Sequence, residues 1–429
     1  MPAIAPEITL PPAGSPEWDA RTEIKAGRLG FGAPADDCLR PNWLVRWAFY
    51  LSVFSIPFHH LYLPGTGERV GVTRLIQLFI LCAILAQPRA CVRLVPVALF
   101  WFLAYCGMRI LSGLWFTPEL STLWWPSTLE LVEFSLPWLW VMFNVLQFPK
   151  ARRRGLWALV WGCSLCALLH IAGFGVVEVD DVIEGRSSVF GQNANVIGAT
   201  YAIAEVVLVG LAMFRDVKPS RRLLLLPLIA VVGTGLAKTG SRSAVLILVM
   251  GILVLLFQGR SFGSMTMRLA NLLLVGAVFT AIVWQIPTVV ERFERVNSSN
   301  IYQQEGRVRM APVLWEIFLR SPVYGSGPDR YQFELTRRAM PYMIKEQRTI
   351  SAHNLALLLL VETGLIGFLL FASGIKAALV AAWRARSKAC GPLPLALFLP
   401  LVIASAIVSD PSHSLIFWFA MAYALTGAV

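Results

Sequence analysis

The sequence predicts an all-α, polytopic integral membrane protein of about twelve transmembrane helices, and three observations carry that expectation. Of its 429 residues, 57% are hydrophobic and only 14% charged, with a mean hydropathy of +0.65. Apolar runs near twenty residues recur along the chain, and about 20 residues rising 1.5 Å each cross a bilayer core of roughly 30 Å. Successive short loops are alternately rich and poor in Lys and Arg, the pattern by which a multi-span chain records its orientation.

Residues 1–42 begin MPAIAPEITLPPAGSPEWDA, polar, Pro-rich and without an apolar run. They read as a disordered cytoplasmic tail with no cleavable signal peptide. Nine spans follow within 43–287, near 43–63, 74–88, 94–114, 127–149, 155–175, 193–214, 222–238, 243–258 and 269–287. A long segment, 288–352, has no span, and 353–429 holds three more, near 353–380, 393–409 and 413–428. Lys150, Arg152, Arg153 and Arg154 fall on one side with the stretches Arg215 to Arg222, Arg260 to Arg268 and Arg384 to Lys388. Arg89, Arg93 and the N-terminal tail share that side, whereas the acidic loop VEVDDVIEG lies on the other. Both termini are therefore expected in the cytoplasm and the segment 288–352 outside.

The net charge of +12 is accounted for by this topology and by contact with anionic membrane lipid. Such apolar spans exclude nucleic acid as a partner. None of the seven cysteines falls in an outward loop, so no disulfide framework is implied. Cys163-x-x-Cys166 lies inside the fifth predicted span and reads as helix packing, since free Cys behaves as a small hydrophobe.

Basic residues on the sparse side are more informative. Arg186 follows the acidic loop in GRSSVFGQNANVIG, and Lys238 and Arg242 sit in the tight turn AKTGSRSA between two spans. Arg307 and Arg309 open EGRVRMAPVLWEIFLRSPVYGSG in the long segment. A lone loop Arg reads most simply as a solvated charge. Arg242 is harder to read that way, because charge held so close to hydrocarbon marks a site or a pair. Its guanidinium suits forked recognition of phosphate oxygens, with Ser241 and Gly240 beside it. Asn193 and Asn195 precede the apolar run of the sixth span, as plain helix caps or as the mouth of an anion-seeking helix N-terminus. MAPVLWEIFLRSP has helical spacing, with Val313, Leu314, Ile317 and Phe318 on one apolar face suited to lying on a membrane surface. The YGSGPD cluster from Tyr324 to Asp329 marks a turn.

All five histidines, His59, His60, His170, His353 and His413, map near the outward face, but neither their spacing nor the cysteines support a metal site. His353 differs because it follows the arginine-rich segment and begins a span. Its position suits either a general base or an interfacial residue at a helix start. Glu362, nine residues on, is roughly 13 Å deeper along a helix, too far to orient the imidazole. It requires a partner inside the membrane, as do Glu205, Glu130 and Glu133. Arg109, an arginine within a span, is a candidate partner for one of these acids.

The pattern His353-Asn354, nine residues, Gly364, two residues, Gly367 resembles a signature of the bacterial O-antigen ligase and polymerase superfamily. The stretches RSSVFGQNANVIG, TGSRSA and RVRMAPVLWEIFLRSPVYGSG agree with it in order and in outward placement, over roughly residues 180–380. The resemblance implies a GT-C-like membrane glycosyltransferase of the inner membrane, active at the periplasmic face without metal or cofactor. The donor would be a glycan on undecaprenyl diphosphate and the acceptor a sugar hydroxyl on lipid A-core or another glycan. His353 would be the base or the group that orients the acceptor, with Arg186, Arg242 and, as a weaker candidate, Arg307 on the diphosphate and Asn193, Asn195, Asn354 and Ser241 in support. The short loops at 115–126 and 176–191 and the single long segment lean toward a ligase over an O-antigen or exopolysaccharide polymerase. A lipid-linked glycan transporter and an export scaffold are the rival classes, although no parallel halves are evident.

Overall fold

A computed structural model describes residues 40–61, 71–178, 187–213, 225–258, 306–339, 354–387, 391–407 and 414–428. The chain divides into Met1–Arg40 with Val429, almost wholly outside these residues, and one compact unit, Pro41–Ala428. The predicted tail, apart from residues 40–42, and the predicted ninth span, 269–287, therefore lie outside the described residues.

The described part of Pro41–Ala428 is almost entirely helical. In chain order the helices are α1 (Trp43–Phe54), α2 (Val72–Ala86), α3 (Val97–Phe116), α4 (Pro118–Leu146), α5 (Pro149–Ile171) and α6 (Ala194–Met213). There follow α7 (Leu225–Lys238), α8 (Arg242–Gln258), α9 (Gly306–Arg320), α10 (Arg330–Ala339), α11 (Leu355–Ala385), α12 (Leu393–Ile407) and α13 (Leu415–Leu425). Apart from the ninth, each predicted span coincides with one of these helices, but several helices are shorter than the run that predicted them. By length and apolar character, α3, α4, α5, α6 and α11 are sufficient to cross a bilayer. α1, α7, α8, α12 and α13 are apolar but shorter. Local chemistry explains one early stop: α1 gives way at Ser55 to a short 3₁₀ turn containing Pro57, which lacks the amide that a continuing helix needs. α4 passes through a π-helical stretch, Glu130–Ser135, between Pro126 and Pro137.

Small residues set the closest helix crossings. A Cβ at Gly162 of α5 would lie 2.1 Å from the Phe54 carbonyl oxygen, so α1 and α5 meet at backbone distance. Gly374 of α11 lies under the ring of Phe102 on α3. Phe102 in turn meets Phe371 and Trp418 edge-on at 5.0 and 5.2 Å, which joins α3, α11 and α13 in one apolar core. α13 is buried along its whole length, Leu415 to Leu425. Cys163 and Cys166 are buried in this packing and point at the carbonyls of Thr200 and Pro57.

Between α8 and α11, helices α9 and α10 form a hairpin with its own small core. Met310, Leu314 and Ile317 pack on Tyr331, Leu335 and Val361, the last contributed by α11. The apolar face that the sequence suited to a membrane surface is therefore covered by protein. Four charged residues rivet the opposite side: Arg320 bonds Glu316 and Glu334 at 2.8 and 2.7 Å, and Arg338 bonds the same two at 2.9 and 2.7 Å. The short strands β1 (Val176–Glu178) and β2 (Ser187–Val189) pair antiparallel, with Val176 opposite Val189.

Candidate active site

Two polar clusters gather most of the described residues singled out by the sequence. The first lies where α5, β2, α6, α7 and α8 come together. Asn193 Oδ1 accepts the backbone N–H of Asn195 at 2.9 Å, which closes the first turn of α6. Ser241, in the turn before α8, donates to Asn195 Oδ1 at 3.0 Å and meets the Ser243 hydroxyl at 2.9 Å. The α6–α8 approach is tight here, because a Cβ at Gly198 would sit 2.9 Å from Thr239 Oγ1. Gly240 makes the turn with φ of 56°. Arg242 occupies the first turn of α8 and is exposed.

Three residues extend this knot. His170 at the end of α5 is fully buried and its Nε2 lies 2.8 Å from Ser187 Oγ. Ser187 donates to the Lys238 carbonyl at 3.3 Å, and Lys238 Nζ donates to the Ile171 carbonyl at 3.2 Å. Nothing in their spacing marked His170, Ser187 and Lys238 as a set, because each comes from a different element. Phe190, inside the RSSVFGQN stretch, holds φ of 56°, uncommon for an aromatic residue, while its amide donates to the Gly175 carbonyl at 2.7 Å.

The second cluster answers the puzzle of Glu362. α11 begins at Asn354, whose Oδ1 accepts the Leu357 N–H at 3.0 Å, an ordinary N-cap. The helix breaks at Gly364, where φ is 65° and ψ is −165°. Glu362, just before the break, is buried and bonds the guanidinium of Arg109 on α3. Arg109 also donates to Thr128 Oγ1 at 3.0 Å and Ser127 Oγ at 3.1 Å on α4, and its Nη2 lies 3.9 Å from Asp329. Removing two charges from water costs several kcal/mol per ion, which only such a dense set of hydrogen bonds offsets. The candidate pairing of Arg109 with a membrane acid is thus observed, with Glu362. Glu205 instead lies against Gly233 of α7, where the missing side chain leaves room for the carboxyl. Among the described residues Glu205 Oε1 has no hydrogen-bond partner.

The loop 321–329 fills the break in α11. Ser326 N–H donates to the Val361 carbonyl at 2.8 Å and Gly327 N–H to the Glu362 carbonyl at 3.1 Å. In return the amides of Leu365 and Ile366 donate to the carbonyls of Pro322 and Val323 at 2.8 and 3.3 Å. Only glycine fits at the contact: a Cβ at Gly325 would lie 2.4 Å from the Glu362 carbonyl carbon, and one at Gly364 2.3 Å from the Val323 oxygen. The YGSGPD turn and the break at Gly364 are therefore two halves of one joint. Glycine clusters in both stretches were the available signal.

Among the predicted site residues, Asn193, Asn195, Ser241 and Arg242 are brought together, and Asn354 heads the helix of the second cluster. Arg307 falls in the first turn of α9. Arg186 and His353 lie outside the described residues, each one position from a described neighbour, Ser187 and Asn354.

No curated protein matches the chain. Residues 227–372 match the family model described as O-antigen ligase, a span from α7 to the middle of α11 that includes TGSRSA, the α9–α10 hairpin and the broken helix. The chain is thus a membrane protein, with several helices long and apolar enough to cross a bilayer, that carries a domain similar to the O-antigen ligase family over residues 227–372.

Proposed function

We propose that the protein is an inverting, metal-independent glycosyltransferase that moves a glycan from undecaprenyl diphosphate to an acceptor sugar hydroxyl, most simply as an O-antigen ligase acting on lipid A-core. The observation that carries this reading is the interlocking of family motif pieces far apart in sequence. Asn195 bonds Ser241, and the YGSGPD turn docks into the broken helix that Asn354 caps.

In this reading the acceptor hydroxyl attacks the anomeric carbon while the bond from that carbon to the diphosphate oxygen breaks on the opposite face, inverting the centre. His353 takes the hydroxyl proton. Negative charge accumulates on the departing diphosphate, and Arg186, Arg242 and Arg307 stabilise it as pre-placed charges in a water-poor site. The protein would sit in the bacterial inner membrane with about twelve spans in a GT-C-like arrangement, both termini cytoplasmic and the site periplasmic. A polymerase shares the donor chemistry and differs in its acceptor. A transporter of lipid-linked glycan shares only the donor.

The test is a reconstituted transfer assay with lipid-linked oligosaccharide and EDTA, with and without lipid A-core. One shifted band that requires lipid A-core supports the ligase. A ladder formed from the lipid-linked glycan alone identifies a polymerase, and absence of product with either acceptor would favour the transporter.

A further inference from the structure

We propose that Arg109 and Glu362 are a positioning pair, which clamps the loop 321–329 into the break of α11 and so fixes the direction of the half-helix that leads back to Asn354. The proposal rests on the transferase reading, because the residue it would aim is His353, the next residue in the chain.

The need for a clamp follows from the break. A continuous helix is held straight by its own ladder, but at Gly364 the ladder is interrupted and the backbone carries positive φ. The half-helix from Asn354 to Glu362 is then a lever about 12 Å long on a glycine hinge. A pivot of about 10° moves its tip by about 2 Å, and a 1 Å misplacement of a reacting group is enough to cost about a hundredfold in rate.

One carboxylate resists that pivot from two directions. Glu362 Oε1 accepts the Asp329 N–H at 3.0 Å, which anchors the end of the loop, and the other oxygen bonds Arg109. Arg109 is itself held by Thr128 and Ser127, so the hinge is referred to α3 and α4. Ser112 adds a second strut, donating to the Glu362 carbonyl at 3.2 Å. Residues 109–128 lie outside the matched domain, so an element of the N-terminal half holds the joint of the C-terminal half. The same loop follows directly on α9, whose first turn contains Arg307.

The test uses full-length protein in proteoliposomes and the variants R109M/E362M and R109K. The double variant removes both charges and replaces them with apolar groups, a change that buried pairs often tolerate without loss of stability. Thermal unfolding, hydrogen exchange over 322–329 and 365–366, and transfer kinetics are measured on each. The expected result for R109M/E362M is a folded protein with loop amides exchanging about tenfold faster and kcat about thirtyfold lower, the donor KM staying within about threefold. R109K keeps the charge but not the fork, and is expected to fall between wild type and the double variant in both exchange and kcat.

A folded double variant with wild-type exchange or wild-type kcat overturns the proposal. So does a variant whose melting temperature falls while kcat per folded molecule is unchanged, since that describes a purely structural pair. If the double variant does not fold, R109K decides: wild-type exchange and kcat in that variant overturn the proposal. If the wild-type protein transfers nothing, the transferase reading fails, while exchange in the same samples still decides whether the pair clamps the loop.

Discussion

Ser241 donates a hydrogen bond to Asn195 across 3.0 Å, joining the turn before α8 to the first turn of α6 although 46 positions separate them. The bond places two motif stretches side by side, and the helix starts they belong to lie next to each other. Arg242 follows Ser241 directly, so whatever holds Ser241 also holds the backbone of Arg242.

That bond is measurable as a coupling. Ser241→Ala is expected to destabilise the protein by about 1 kcal/mol, the usual net worth of an intramolecular hydrogen bond. Asn195→Ala added to it should cost less than it does alone. Strict additivity in a double-mutant cycle on unfolding in detergent would show that the two residues are not coupled.

Arg242 is exposed, so its replacement should separate function from fold. Arg242→Ala is predicted to change stability by no more than about 0.5 kcal/mol and to raise the donor KM by about tenfold through a lost charge-assisted bond. Unchanged donor affinity would remove the diphosphate role.

The glycine joint makes a sharper structural prediction. Gly325→Ala and Gly364→Ala each place a Cβ against backbone at 2.4 and 2.3 Å, at positive φ. Backbone strain alone costs about 1–3 kcal/mol at such positions, before the clash is counted. Both variants should therefore lose most folded protein in membrane extracts. Gly107→Ala on α3, which meets nothing within 4 Å, should be neutral or slightly stabilising in the same assay.

The α9–α10 hairpin is predicted to loosen in acid. The Arg338 and then the Arg320 guanidinium hold the Glu316 carboxyl below its ordinary value. Because the folded value is the lower one, the contribution is present above the unfolded-chain pKa of about 4.3 and fades as pH falls through the lowered value. Solvent screening keeps it small and sensitive to salt. Hydrogen exchange of α9 and α10, corrected for intrinsic rates, should speed up between pH 7 and pH 3, and also in 1 M salt at pH 7. No change under either condition would mean that the four-residue network does not hold the hairpin.

Much of this was legible in residue order because the bilayer imposes a local rule. A stretch suited to cross hydrocarbon must be mostly apolar over many consecutive residues, so its identity is written locally, as in Val97–Phe116 or Leu355–Ala385. Helix ends were legible for the same reason: Asn354 and Asn193 act on amides two or three positions away. The periodicity of α9 reported that an apolar face exists and not what packs against it. Tyr331 and Leu335 of α10, with Val361 of α11, cover it.

The composition and spacing of this chain thus specify its class, most of its helices and the stretches by which it resembles a known family, because each depends on neighbours in sequence. Which acid meets Arg109, what fills the break at Gly364 and which serine reaches Asn195 were settled only when the helices packed. The Arg109–Glu362 pair spans 253 positions. A buried charge accepts any partner that compensates its desolvation, and several acids lay within predicted spans. Packing, through the approach of α3 to α11 around the glycine joint, selected Glu362.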